Sequence, residues 1–195
     1  MQVAQLEDSA MKTNHSAEPR SGEGHGVRQG LWQRESGQAL TEFAIIGTIM
    51  MVLALGLIDL GRAIYEKQVI THLTREGSNM AARGTPLTTA AGQVVSGSSP
   101  LNLSSSGYVI ISAVQNTGGV NTVIDQAAQG GMAASSRIGV QGAKTSNMPA
   151  TVPAIPQPGQ TVYVTEVFYS YQPATPIGKL IGLVMPSTLY DVAYF

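Results

Sequence analysis

The sequence contains no cysteine, which excludes disulfide bonds, zinc–thiolate sites and thiol catalysis. Charged residues make up only 12% of the chain, about half of the usual quarter, and the formal net charge is -1. Lysine and arginine form no basic stripe, so nothing in the sequence indicates a nucleic acid partner.

Histidine is also scarce, and its three copies are far apart. His15 and His25 lie in a polar N-terminal region, whereas His72 stands alone, so no metal-ligand set or catalytic pair is visible. Glu166 sits in a strand-like run without an obvious carboxylate partner, and the glycine-rich stretches lack the strand–turn–helix context of a phosphate-binding loop. We therefore expect no enzyme, no metal site and no cofactor.

One long apolar run dominates the first half of the chain. Phe43–Ile58 carries no charged residue, but it is shorter than the about 20 apolar residues that a helix needs to cross a bilayer. Ala39, Leu40 and Leu60 extend it to a marginal span, interrupted only by Glu42 near its start. The run therefore predicts a membrane helix.

Two other structures are compatible with such a run. A secretory signal peptide has an apolar core of about 7–15 residues before a site with small residues; Ala54–Gly56 resembles such a site weakly, but apolar residues continue after it. A buried helix of a soluble domain normally shows a polar face, and Phe43–Ile58 shows none. Both alternatives are weaker than the membrane helix.

The helical pattern continues beyond Asp59. Apolar residues recur there at helical spacing, at Leu60, Ala63, Ile64, Ile70, Leu73, Met80 and Ala81. Gly84 and then Pro86 are typical of a helix end. We predict one helix from Gln38 to Arg83, with a membrane half and an amphipathic half.

The C-terminal part is rich in β-branched and aromatic residues, which favour strands. The predicted strands are Gly107–Val114, Val120–Ile124, Arg137–Gln141, Thr161–Tyr171 and Leu189–Phe195. A small antiparallel sheet would cover the apolar stripe of the amphipathic half-helix, and its tyrosines are expected in the sheet core rather than on an adhesive surface. The predicted fold class is α+β: a long N-terminal helix packed on a small antiparallel sheet.

These patterns divide the chain into four segments. Residues 1–37 are polar without an apolar period and read as a disordered leader. Residues 38–83 form the transmembrane and amphipathic helix. Residues 84–107 are rich in glycine, serine and threonine and are predicted to be a linker, and residues 108–195 form the strand-rich head.

Three motifs on the predicted helix carry a family resemblance. GQALTEFAI begins at Gly37, LIDLGRAIY begins at Leu57, and TREGSNMAARG begins at Thr74. In combination they resemble the TadE-like family, the minor pilins or pseudopilins of tight-adherence (Flp-type) pilus systems. A strand followed by Pro173–Pro176 and the apolar segment Ile177–Met185 is similar to that family as well. The family has glutamate more often at the position of Asp59.

The resemblance implies processing at the start of the helix. A prepilin peptidase would cut between Gly37 and Gln38, where glycine lets the enzyme approach the backbone closely. Glu42 would then lie near the new N-terminus, beside Phe43, and would pair with the α-amino group of a neighbouring subunit during assembly. Alternatively, Ser36 merely caps the helix and Glu42 favours its positive end.

The resemblance also implies a location and partners. The protein would be a single-pass protein of the bacterial inner membrane with an extracytoplasmic head. Its partners would be the prepilin peptidase, other pilins and pseudopilins, membrane lipids and the inner-membrane assembly platform. Arginines flank the predicted span at Arg28 and Arg34 on one side and at Arg62 and Arg75 on the other, so the positive-inside rule does not by itself assign this orientation.

A charged group follows the apolar run. Asp59 and Arg62 are three residues apart, and Arg62 and Glu66 four apart, so both pairs can meet on a helix surface. This membrane-boundary cluster would contact another subunit, or it would be a solvated group with extended side chains. If the leader is not cleaved, the alternative function is a single-pass membrane protein whose extracytoplasmic head binds a partner or ligand.

Overall fold

The computed structural model describes residues 25–149, 156–176, 178 and 187–195, with side chains from Gly37 onward. Its elements are α1 (His25–Ala82), α2 (Leu87–Ser96), α3 (Leu103–Ser106), β1 (Gly107–Thr117), β2 (Val120–Gly130), β3 (Thr161–Ser170) and β4 (Thr188–Tyr194). The chain divides into two units, residues 1–49 and 50–195. Helix α1 supplies the described part of the first unit and begins the second, which contains the sheet.

The predicted long helix is confirmed, and it ends where the glycine signal placed its end. Gly84 has φ of +91°, a conformation that glycine adopts without steric cost. The amide of Thr85 donates to Met80 and that of Gly84 donates to Ala81, which is the paired arrangement that satisfies the last carbonyls of a helix. At the other end, α1 begins at His25 rather than at Gln38. Part of the expected disordered leader is therefore helical, and residues 1–24 lie outside the described range.

The four strands form one antiparallel sheet in the order β2–β1–β3–β4. The two glycines between β1 and β2, Gly118 and Gly119, both have positive φ, as a two-residue hairpin turn of the favoured twist requires. A β-bulge interrupts the β1–β2 register after Ala113. The α+β class and the antiparallel sheet predicted from the sequence are confirmed.

The main core lies between the helices and one face of the sheet. Ile70 and Leu73 of α1 are buried there against Val109 and Ile111 of β1 and Val167 of β3. Each of these side chains removes apolar surface from water, which stabilises the fold by about 25 cal/mol per Å². The apolar stripe of the amphipathic half-helix is thus covered by the sheet, as its spacing predicted.

The segment expected to be a linker instead contains two helices. Helix α2 buries residues at positions i, i+3, i+4, i+7 and i+8, namely Leu87, Ala90, Ala91, Val94 and Val95. This is the spacing of an amphipathic helix, but the glycine, serine and threonine around it concealed the pattern. Tertiary packing against the sheet stabilises this short helix, which would be marginal alone.

The opposite face of the sheet is covered by residues 131–149, which carry no named helix or strand. Ile138 of this segment packs with Val114, Val123, Val162 and Val164 in a second apolar cluster. The prediction of a strand at residues 137–141 was therefore wrong. Ile138, which helped to suggest a strand there, packs onto an existing sheet instead of pairing with it, whereas Val140 is exposed.

Candidate functional site: the exposed helix and the Asp59 docking cluster

The residues of the predicted cleavage site lie on exposed positions of α1. Gln38 and Glu42 are one helical turn apart, and the Gln38 side-chain amide donates to Glu42 Oε1 at 3.0 Å. Among the described side chains, none lies within 4 Å of a Cβ built on Gly37, and Phe43 is 74% exposed. Glu42 therefore has a partner from its own helix and remains accessible to another.

Helix α1 exposes a long apolar surface. Large apolar side chains that are more than 40% exposed follow one another along it: Leu40, Phe43, Ile45, Ile46, Ile49, Met50, Met51, Val52, Leu53, Leu57, Ile58, Leu60 and Ile64. Soluble proteins rarely expose a contiguous apolar patch of this kind without a partner. Among the described residues, α1 is the helix that is long and apolar enough to cross a membrane.

Asp59 is the first carboxylate after the apolar run Phe43–Ile58, and it is buried, with 2% of its surface exposed. Its Oδ1 accepts hydrogen bonds from the amides of Ala174 at 2.9 Å and Thr175 at 3.1 Å. Its Oδ2 accepts a third from the Thr175 hydroxyl. Hydrogen bonds to a charged acceptor are about twice as strong as neutral ones, so this carboxylate fastens the Pro173–Pro176 turn to the helix.

Two neighbouring groups complete this Asp59 docking cluster. The Tyr171 hydroxyl donates to the backbone carbonyl of Asp59 at 2.9 Å, and burial, followed by the charge of Asp59, raises the pKa of Tyr171. Gly178 lies so close that an added Cβ would be 2.1 Å from Asp59 Oδ2 and 2.3 Å from Pro173 Cβ. The cluster therefore leaves no room for a side chain at position 178.

The expected boundary cluster is divided in the structure. Arg62 and Glu66 form an ion pair at 3.1 Å, as their spacing predicted, whereas Asp59 faces the turn described above. Glu66 is buried, with 5% exposed, and its Oε2 has no hydrogen-bond partner among the described residues. The two carboxylates thus both point toward the head, and Arg62 alone keeps half of its side chain exposed.

A polar seam joins α1 to the edge strand β4. Lys67 Nζ donates to Asp191 Oδ1 and to the Tyr190 carbonyl, each at 2.6 Å. The Thr74 hydroxyl donates to the other oxygen of Asp191 at 3.1 Å. Farther along, the Ser78 hydroxyl donates to the carbonyl of Ala193 at 3.0 Å. These bonds set which turns of α1 face the sheet edge.

Glu166, the strand carboxylate without a visible partner in the sequence, is fully buried on the other sheet face. It accepts hydrogen bonds from the Ser136 hydroxyl, the Arg137 amide at 2.8 Å and the Tyr190 hydroxyl at 2.9 Å. The Arg137 guanidinium lies 3.9 Å from the centre of the Tyr190 ring, a cation–π contact. Burial, followed by the negative charge of Glu166, raises the pKa of Tyr190. This group fastens residues 131–149 to the sheet.

The partners of Asp59 and Glu166 were not foreseen from the sequence. Both carboxylates are separated from their partners by long stretches of chain, and helical or strand spacing predicts only near neighbours. For Asp59 a signal was present, because the proline-bounded turn Pro173–Pro176 exposes backbone amides that need an acceptor. Among the described side chains, no three of His, Asp and Glu are grouped so as to hold a metal ion.

Over the described residues, the fold and the exposed helix define a class of protein: an α+β head with one helix that is long and apolar enough to cross a membrane. Residues 37–79 match the family model described as TadE-like protein. The resemblance read from the motifs on α1 is therefore confirmed over that segment. No curated protein and no solved structure matches the chain. The family match and the apolar helix together indicate a membrane protein associated with tight-adherence pili.

Proposed function

We propose that this protein is a minor pilin or pseudopilin that assists assembly of a tight-adherence (Flp) pilus used for surface attachment or export. The observation that supports this most directly is the exposed apolar surface of α1, which follows Gly37 within the segment that matches the TadE-like model. A filament subunit uses such a surface in two stages: it contacts lipid while the subunit is in the membrane, and it contacts neighbouring helices once the subunit is in the filament.

In this proposal a prepilin peptidase cuts between Gly37 and Gln38. No described side chain lies close to Gly37, which is consistent with access by an enzyme that binds backbone closely. Cleavage would require the first turns of the helix to unfold locally. The free energy of this local unfolding is small, because the backbone hydrogen bonds of an isolated helix segment are exposed to solvent.

Glu42 would then serve assembly. A carboxylate near the bilayer core costs about 2.5–3.5 kcal/mol unless it is paired. Among the described residues, the Gln38 amide is the hydrogen-bond partner of the Glu42 carboxylate, and a neutral amide compensates a charge only in part. The α-amino group that cleavage creates on a neighbouring subunit would complete the pairing and set the register between subunits.

The remaining parts of the proposal concern location and partners. The protein would span the bacterial inner membrane once, with its head outside the cytoplasm. It would meet the peptidase, membrane lipids, other pilins and pseudopilins, and the inner-membrane assembly platform. Of the boundary cluster, Arg62 is the residue with an exposed charge, so contact with another subunit would involve Arg62 and not the buried Asp59 or Glu66.

Cleavage is tested by co-expressing the full chain with a prepilin peptidase and measuring intact mass and N-terminal sequence. We expect a mature species that begins at Gln38. Gly37→Leu should abolish this product, because a bulky side chain at the cut site obstructs the close backbone approach. Gly47→Leu is the matched control, since no described side chain lies within 4 Å of a Cβ at either glycine, and it should be processed normally.

Persistence of the complete leader in the unsubstituted chain, with a known pilin cut in the same cells, would contradict the proposal. That result would favour an uncleaved single-pass membrane protein whose head binds a partner or ligand. Equal processing of the Gly37→Leu and Gly47→Leu chains would show that cutting does not occur at Gly37.

A further inference from the structure

The apolar outer surface of α1 does not stop at Asp59. Leu57, Ile58 and Leu60 are 70%, 53% and 42% exposed, and Ile64 and Tyr65 are 51% and 53% exposed. We call these five residues the outer stripe. The stripe occupies the turns of helix that also carry the buried carboxylates, but it lies on the side away from the head.

The charges in this part of the helix do not interrupt the stripe. Asp59 and Glu66 are buried toward the head, where Asp59 meets the Pro173–Pro176 turn and Glu66 meets Arg62. Arg62 is the one charged residue exposed between Leu57 and Tyr65, and its guanidinium is held by Glu66. A solvent-exposed helix surface would instead carry its charged residues on the outer side.

The outer surface changes character one turn later. The next four exposed positions on α1 after the stripe are Gln68, His72, Arg75 and Glu76, all of them polar. Tyr65 stands at this change, and tyrosine is enriched where a membrane meets water because its ring is apolar and its hydroxyl is polar. The boundary between apolar and polar surface on the outer side therefore lies near Tyr65.

The length of the apolar run points to the same boundary. Phe43–Ile58 falls short of the about 20 residues needed to cross a bilayer, whereas a span that continues to Ile64 lies within the range of about 17–25 residues. We propose that bilayer lipid covers the outer stripe. On the outer side of α1 the membrane surface would then lie at Tyr65, whereas on the opposite side the head already contacts the helix at Asp59. The head would then rest against the membrane.

This inference commits to lipid as the occupant. The stripe is continuous in sequence with the apolar run, and Arg62 can extend its stem along apolar surface while its charge reaches the headgroups. The inference rests only on the membrane-anchoring part of the proposed function and is independent of cleavage and pilus assembly.

The test uses single cysteines, which the cysteine-free sequence permits without further changes. Full-length Ile64→Cys, Leu53→Cys and Val140→Cys are reconstituted into vesicles of phosphatidylethanolamine and phosphatidylglycerol, with a membrane-impermeant maleimide on both sides. Ile64 and Val140 are the matched pair, because both are β-branched and more than half exposed, at 51% and 62%. Leu53, 61% exposed within the apolar run, is the reference for lipid.

We expect Ile64→Cys to react as slowly as Leu53→Cys and at least about tenfold more slowly than Val140→Cys, because the reactive thiolate is strongly disfavoured in hydrocarbon. Dilution to less than one chain per vesicle should leave this protection unchanged. Replacing the bilayer by detergent micelles should leave the head folded. Resistance of the head to trypsin would verify this.

Each other outcome has a distinct meaning. Fast reaction at Ile64 with slow reaction at Leu53 would overturn the inference while leaving the membrane anchor intact. Protection of Ile64 that disappears on dilution would also overturn it, because a second copy of the chain would then cover the stripe. Fast reaction at all three positions would show that α1 does not span the bilayer, and the anchoring part of the proposed function would fail with it.

Discussion

At the scale of single residues, the structural role of Asp59 was not predicted from the sequence. Helical spacing placed it beside Arg62 in a charged group at the membrane boundary. The structure buries it and gives its carboxylate three donors from Ala174 and Thr175. A buried carboxylate is tolerated only when its oxygens are compensated in this way, so Asp59 acts as the fastening between helix and turn.

Asp59→Asn tests this role. The amide keeps the shape of the carboxylate but has one acceptor oxygen and no charge, so at least one of the three donors loses its partner. We expect the free energy of unfolding to fall by about 1.5–3 kcal/mol, measured by urea unfolding in detergent with near-ultraviolet circular dichroism.

The matched control is Glu76→Gln, the same chemical change at an exposed position of the same helix. It should alter the free energy of unfolding by less than about 0.5 kcal/mol. Equal effects of the two substitutions would show that the carboxylate of Asp59 contributes nothing specific to holding the turn.

Glu166 is the second residue whose surroundings only the structure shows. Its full burial and three donors from Ser136, Arg137 and Tyr190 explain how a charged residue occupies a central strand. In the sequence, Glu166 had no obvious carboxylate partner. In the structure, its carboxylate binds residues of the segment 131–149 and holds that segment on the sheet.

At the scale of secondary-structure elements, the close approach of α1 to the sheet depends on one small residue. A Cβ on Gly77 would lie 2.9 Å from both Thr165 Cγ2 and Thr165 Oγ1, and 3.2 Å from Val94 Cγ2. Helix α1, helix α2 and strand β3 therefore meet at a point where only glycine fits without movement. The motif read as TREGSNMAARG contains this glycine.

Gly77→Ala should destabilise the protein by about 1–3 kcal/mol, because the added methyl group overpacks this contact. Gly61→Ala lies on the same helix with nothing within 4 Å, and it should be neutral or stabilising by up to about 1 kcal/mol, since alanine favours helix. Thermal unfolding of the two variants beside the unsubstituted protein measures both signs. A stabilising effect at Gly77 would mean that α1 and β3 are farther apart than described.

Helix α2 shows why one element escaped prediction. Its apolar spacing was present in the sequence, at Leu87, Ala90, Ala91, Val94 and Val95, but two of the five buried residues are alanines and the flanks are rich in turn-forming residues. Local propensity is a weak guide for so short a helix, and contact with the sheet decides its structure. The prediction of a strand at residues 137–141 was wrong for a related reason. β-Branched residues favour strands, but they can also pack on the face of a sheet without pairing with it.

At the scale of the whole molecule, the proposed assembly depends on one exposed carboxylate. Glu42→Ala should leave cleavage after Gly37 intact, because the cut site itself is unchanged. It should reduce the number of pili per cell at least about tenfold, since an unpaired ammonium group of a neighbouring subunit in the membrane costs about 2.5–3.5 kcal/mol. Electron microscopy of cells that carry the complete pilus system gives the number, and intact mass reports cleavage.

Thr41→Ala is the control for this experiment, because Thr41 is exposed and, among the described residues, its hydroxyl bonds only to the Gln38 carbonyl of its own helix. Pili should form normally with that change. Normal pili in the Glu42→Ala strain would refute the pairing role, while loss of cleavage in that strain would mean that Glu42 is read by the peptidase.

The sequence by itself determined the elements whose signals are local. Hydrophobic periodicity determined the long helix, Gly84 its end, and β-branched alternation the strands, because helix and strand formation depend on neighbours one to four residues away. The motifs at Gly37, Leu57 and Thr74 likewise determined the family resemblance over α1.

Only the tertiary structure decided which way the polar groups face. Asp59 and Glu66 point toward the head and leave the outer stripe apolar, and Glu166 lies under the segment that covers the second sheet face. These orientations depend on partners more than a hundred residues away for Asp59 and about thirty for Glu166. A buried charge is stabilised by whichever donors folding brings to it, and those donors are set by the packing of the whole head.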